Sequence, residues 1–151
     1  MALYFLDKDF VEIDNSPIRT SHDGYVGQAD QILFFIRNRD PSVYYRNISL
    51  TPKFRNTYFS SENFDSSSWS VKLYYGTIQP SEDEWDKVFS GESLDIPDIG
   101  SLEAADTFTN HPIWVRVYCP GNTEAQIKEN IFLELLYNEE KVRVEWIKKK
   151  I

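Results

Sequence analysis

Few residue types in this 151-residue chain can carry chemistry, and they are sparse. There are two histidines, His22 and His111, and one cysteine, Cys119. A zinc site needs three or four nitrogen or sulfur ligands at compatible spacing, which these do not supply. A nucleophilic triad needs a histidine, an acid and a serine or cysteine to meet in space. The chain has no G-x-S-x-G elbow, no phosphate-binding loop and no dinucleotide fingerprint. Carboxylates are plentiful: Asp7, Asp9, Glu12 and Asp14 near the start, then Glu82, Asp83, Glu84 and Asp86. Neither run has the calcium-loop pattern. The second reads better as a solvated face or as acids complementing a helix N-terminus. Acids this common say little about a glycosidase pair. Cys119 ends an apolar stretch just before Pro120 and reads as a buried thiol. His111 precedes Pro112 at a strand entrance, where a turn role is the better reading. The inventory predicts no enzyme, no catalytic residue, no cofactor and no metal.

Composition narrows the class further. An apolar fraction of 41% fits a folded chain, and the length fits a single domain spanning residues 1–151. Aromatics reach 15%, which favours strands. A net charge of −8 disfavours binding to nucleic acid. The one basic run, Lys148-Lys149-Lys150, reads as a solvated tail or as charges that blunt an edge strand. A lone cysteine forms no internal disulfide. The first residues lack a basic n-region, and no segment approaches a membrane span. The expectation is synthesis in a cytoplasm and no membrane partner. Asn47-Ile48-Ser49 matches a glycosylation sequon that means little without secretion.

The elements that must position any site read as β-strands. Leu3–Asp14 predicts one or two short strands, broken by Asn15-Ser16-Pro17. Gln31–Arg37 is a continuous apolar run, expected as a central strand covered on both faces. Tyr44–Leu50 predicts its antiparallel neighbour, ended by Pro52. Asn56–Ser68 reads as an exposed loop. Trp69–Tyr75 alternates most clearly, with Trp69, Val71, Leu73 and Tyr75 on one face. Ser81 with Glu84 has capping-box spacing, so Ser81–Phe89 predicts one or two helical turns ended by Gly91. Glu92–Asn110 reads as a long connection. Strands follow at Ile113–Tyr118, at Ile131–Tyr137 and, after a turn at Asn138-Glu139-Glu140, at Val142–Ile147. Roughly seven or eight short strands without βαβ alternation predict an all-β, mainly antiparallel sandwich with one short helix.

Trp69, Trp114 and Trp146 occupy strand positions and are expected in the core. Tyr44-Tyr45 and Tyr74-Tyr75 each place one ring on either face of a strand. Outward rings serve interfaces, so Tyr45, Tyr58, Phe59, Phe64, Tyr74 and Phe108 are the candidate partner contacts. The connections Asn56–Ser68 and Glu92–Asn110 are the expected partner loops.

Three stretches carry resemblances. IWVRVYCPGNTEAQIKENIFLEL, Ile113 to Leu135, resembles the closing hairpin of immunoglobulin-like β-sandwich modules. DNSPIRTSHDGYVGQADQILFFIRNRDPSVYYRNISLTP and WSVKLYYGTIQPSEDEW resemble small virion proteins of tailed bacteriophages. The likeness covers residues 14–137. It implies a non-enzymatic structural protein, made in the host cytoplasm and assembled into the virion as a homo-oligomer. Its partners would be capsid subunits, as for a decoration protein, or neck, tail or baseplate subunits. It brings no catalytic residues with it. Two rivals stand beside it. One is a carbohydrate-binding or host-adhesion module using exposed aromatics. The other is a sandwich hydrolase in which His22 or His111 meets paired acids.

Overall fold

A computed structural model describes residues 3–13, 20, 22–23, 27–54, 62–63, 69–121 and 131–144. These form strands β1 (Leu3–Leu6), β2 (Gln28–Asn38), β3 (Val43–Phe54), β4 (Glu62–Asn63), β5 (Ser70–Tyr75), β6 (Leu94–Ile96), β7 (His111–Cys119) and β8 (Ile131–Lys141), with one helix, α1 (Glu82–Asp86). All strand pairings are antiparallel. One sheet has the order β1-β2-β7-β5; in the other, β3 pairs β4, β6 and β8. Leu50 faces Leu94 of β6 and Leu135 of β8, so β8 must lie on the edge of β3 opposite β6. The first sheet and the β3–β8 pair follow the ABED and CF strands of an immunoglobulin-like sandwich. Among the described residues no strand fills the G position beside β8.

The core lies between the sheets. Phe34, Ile36, Val71, Leu73, Ile113 and Val115 from the first sheet meet Val43, Tyr45, Ile48, Leu50 and Ile96 from the second. On β3 the inward set changes from odd residues (Val43, Tyr45) to even ones (Ile48, Leu50). The cause is a register shift between Arg46 and Ser49, where Asn47 adopts φ 52°. Asparagine tolerates that left-handed backbone better than most residues, and the bulge lets one strand keep a continuous apolar face.

Several connections differ from the sequence expectation. β2 and β3 do not pair with each other; they lie in different sheets. The device is Asn38, which is fully buried. Its Nδ2 donates to the carbonyls of Asp40 and Val43, both at 3.1 Å, and its Oδ1 accepts from Asp40 N at 2.9 Å. The amide thus satisfies the corner at which the chain changes sheets. β7 and β8 likewise lie in opposite sheets and form no closing hairpin. Asn138-Glu139-Glu140 is not a turn: β8 runs on to Lys141, and Val142–Val144 is not strand. Nor does Pro52 end β3. Strand alternation turns its N, which lacks a hydrogen, towards the edge where β6 pairs only to Leu50 and β4 begins at Lys53. Glu92–Asn110 is more than a connection, since it holds β6. Within Asn56–Ser68, Glu62–Asn63 pairs with β3 and the rest lies outside the described residues. Val11 and Ile13 make no second strand, although Leu6 bridges Glu12.

Helix α1 is shorter than expected but begins as its capping box requires. Glu84 N donates to Ser81 Oγ at 3.3 Å, and Ser81 N to the Glu84 carboxylate at 3.1 Å. It sits on the outer face of the first sheet. Trp85 is fully buried there and donates to Gln31 Oε1 at 2.9 Å. The Arg116–Glu82 ion pair, 2.8 Å, has a mostly exposed carboxylate and contributes at most about 1 kcal/mol. Burying a large aromatic side chain is worth more, roughly 2–3 kcal/mol, so Trp85 is the main anchor. Trp85 on one side and Phe10 stacked on Phe35 at 4.9 Å on the other give β2 the second cover its apolar run demanded. Trp114 is half-buried on this outer face and is not part of the inter-sheet core.

Replacing Asn38 by alanine leaves the corner donors and acceptors unpaired. It should destabilise the fold by about 2–4 kcal/mol. Urea unfolding of Asn38→Ala beside wild type checks this.

Candidate functional site

A sheet edge exposes unpaired backbone groups, and folded proteins usually cover them. Three margins of this sandwich are covered or short. At β1, Ile13 N donates to Phe5 O at 2.9 Å, and a turn built on Asp7 brings the chain back. At β5, Gly91 N donates to Val71 O at 2.9 Å while Val71 N donates to Ser90 Oγ at 3.1 Å. Gly91 holds φ 79°, a conformation that glycine adopts without strain. β6 is three residues long.

The margin at β8 differs. It is eleven residues long, and among the described residues nothing pairs its outer edge. Val142 N donates to Ser42 O at 3.0 Å, extending the β3 ladder. Alternation therefore points the N–H and C=O of the odd-numbered residues of β8 outward. Their side chains Ile131, Leu133, Leu135 and Tyr137 face the core yet stay only partly buried. On β3, one strand further in, Tyr45 and Leu50 are fully buried. Among the described residues, an apolar row thus lies partly exposed along a ladder with no outer partner.

The outer face beside this edge is also shaped. Ser49, Thr51 and Lys53 of β3, Glu134 and Leu136 of β8 and the segment Phe89–Ser93 enclose a groove of about 450 Å³. Phe89 is 76% exposed and Leu136 56% exposed, while Thr51 and Ser93 share a hydroxyl hydrogen bond of 2.5 Å. At its far end β8 is fastened to β3. Glu140 accepts from Tyr44 Oη and from Arg46, both at 2.5 Å. Tyr44's hydrogen bond, then Arg46, hold the Glu140 carboxyl below its usual range. The margin is acidic, with Glu134, Glu139 and Glu140 on β8.

The expected contact residues do not gather here. Tyr45 is fully buried and presents no ring to a partner; burial, then the Glu139 charge, raises its hydroxyl pKa. Tyr74 lies on the outer face of the first sheet, where its hydroxyl donates to Glu84 at 2.6 Å. Phe108 is 83% exposed, on a loop whose Thr107 carbonyl accepts from Arg37 Nε at 2.9 Å. Tyr58, Phe59 and Phe64 lie outside the described residues, as does Trp146. Phe89 and Leu136, which flank the groove, carry no local signal: each adjoins another apolar residue, Val88 or Leu135, and the sequence does not say which of the two faces outward.

The chemically reactive residues are placed as structural parts. Cys119 is buried. His22 contacts Thr20 Oγ1 at 2.7 Å and the Gln28 carbonyl at 2.9 Å, and packs edge-on against Trp69. His111 is buried under the sheet end, with Nδ1 3.0 Å from the Tyr75 hydroxyl. Among the described residues no three His, Cys, Asp or Glu side chains gather to hold a metal ion, and no helix is long and apolar enough to cross a membrane. No family model, curated protein or solved structure matches this chain.

Burial lowers the pKa of His111 from its ordinary 6.5, against a smaller opposing pull from Asp106. A group depressed on folding stabilises fully above its unfolded pKa and loses that stability as pH falls. Stability should therefore fall as pH drops below the ordinary histidine value of 6.5, above the window in which the carboxylates Asp40, Glu84 and Glu140, also depressed, begin to titrate. The expected outcome is that His111→Gln flattens this upper limb and leaves the acid limb below pH 4.5 in place. Unfolding free energies measured from pH 4 to 8 check it.

Proposed function

We propose that this protein is a non-enzymatic structural component of a tailed-phage particle. It docks on capsid, neck, tail or baseplate subunits, or on further copies of itself in the particle, through the β8 margin of its second sheet. The observation that carries the docking reading is the eleven-residue edge of β8, unpaired among the described residues, with its half-covered apolar row. A strand added there completes the ladder and covers the row, so backbone hydrogen bonds give affinity and the alternating side chains give specificity. The virion assignment is supported by the resemblance of residues 14–52 and 69–85 to small virion proteins. An acidic surface keeps such a part soluble before assembly.

A second reading draws on the groove. Its hydroxyl-bearing floor, its carboxylates Glu92 and Glu134 and the exposed ring of Phe89 suit a sugar face. In this reading the protein is a carbohydrate-binding or adhesion module.

Co-sedimentation separates the two. The protein should bind saturably to undecorated capsids or to isolated tails. Leu136→Lys should weaken that binding at least tenfold while changing unfolding stability by less than about 0.5 kcal/mol. Absence of binding to both particles, with saturable quenching of tryptophan fluorescence by host glycans, would replace the structural reading with the adhesion one.

A further inference from the structure

The β8 edge calls for a strand of particular chemistry, and the chain's own path shows where one could come from. After β8, Val142 still follows the β3 ladder, but Arg143 leaves it. Arg143 N donates to Leu102 O at 2.7 Å, and its guanidinium lies 3.3 Å from Glu103. Leu102 belongs to the segment that pairs with the opposite edge of β3, where Tyr45 and Ile99 exchange two bonds of 2.9 Å. The chain has thus crossed the end of β3 and is fastened on the margin of the second sheet furthest from the open edge. A hairpin back onto its own β8 would have to reverse at Lys141, and the backbone does the opposite. Val144, the next residue along, is 77% exposed.

We infer that residues 144–151 of one copy add as a strand to the outer edge of β8 in a second copy. The inference rests on the reading of β8 as the docking edge and names its occupant. The segment reads Val-Glu-Trp-Ile-Lys-Lys-Lys-Ile, with Val144 and Trp146 on one face of an extended strand. Those side chains suit the half-covered row Leu133, Leu135 and Tyr137. Lys148, Lys149 and Lys150 are the basic run of a chain with net charge −8, and they complement Glu134 and Glu139 on β8. Pairing β8 with β8 of another copy would instead bring like charges together. Donation of a tail to a neighbour's edge is either reciprocal, giving a dimer, or head-to-tail, giving a ring or filament.

The test uses purified full-length protein and no phage particle, so it stands or falls apart from the virion assignment. One variant carries Glu134→Lys and Glu139→Lys; the other carries Lys148→Glu, Lys149→Glu and Lys150→Glu. Sedimentation equilibrium should show concentration-dependent association of the wild type, weakened at least tenfold in each variant alone. An equimolar mixture should recover association, because each variant's edge then meets a tail of opposite charge. Wild type that stays monomeric up to hundreds of micromolar, or variants that associate like wild type, would overturn the inference. As an independent readout, a fluorescent peptide of residues 144–151 should bind the tail variant saturably, and its Lys-to-Glu counterpart at least tenfold more weakly. Lack of saturable peptide binding would equally overturn it.

Discussion

The sheet change at Asn38 is the constraint on which the rest of the architecture depends. Had the chain turned tightly after β2, β3 would have paired beside it and the two apolar faces would have shared one sheet. The buried amide of Asn38 instead takes up the backbone groups of Asp40 and Val43. With them satisfied, the chain can cross the core without stranding polar atoms. β3 then becomes the spine of the second sheet, with β6 and β4 along one edge and β8 along the other. The bulge at Asn47 keeps its inward face apolar across the whole length.

From that arrangement follows the asymmetry of the margins. β1 is covered by the returning residues 10–13, and β5 by Ser90 and Gly91. β8 has no such cover among the described residues, yet it is the longest of the edge strands. Water can solvate its outward backbone groups at little cost, but it leaves Ile131, Leu133, Leu135 and Tyr137 partly wet. An added strand would gain on both counts, so this edge, and not the reactive residues, is where a partner gains most. Glu134 and Glu139 impose a sign on whatever docks. A negatively charged edge resists indiscriminate pairing with the rest of so acidic a chain.

Local signals were legible in the sequence, and long-range pairing was not. Ser81 and Glu84 announced a helix start because a capping box is a contact between near neighbours. The period-two run ending at Tyr75 marked β5 for the same reason: alternation records one buried face. The two-sheet antiparallel class followed from many short strands. Which strands pair was hidden, because Asn38 looks like any turn residue until its burial is seen. Asn138-Glu139-Glu140 misled in the opposite direction. Three polar residues read as a turn, whereas an edge strand tolerates them because half its surroundings are solvent. That misreading shortened β8 and hid the candidate site. Alternation around Tyr44-Tyr45 says that one ring faces out but not which, and the bulged strand turns Tyr45 inward.

Residue-resolved amide hydrogen exchange of β8 tests the central claim most directly, in dilute protein and again at high concentration or on a particle. The account predicts fast exchange at Leu133, Leu135 and Tyr137 in the dilute protein, beside slow exchange at Glu134, Leu136 and Asn138, which face β3. The fast amides should become protected on association. Protection of both sets in the dilute monomer would mean that the edge is already filled within one chain, and would contradict the account.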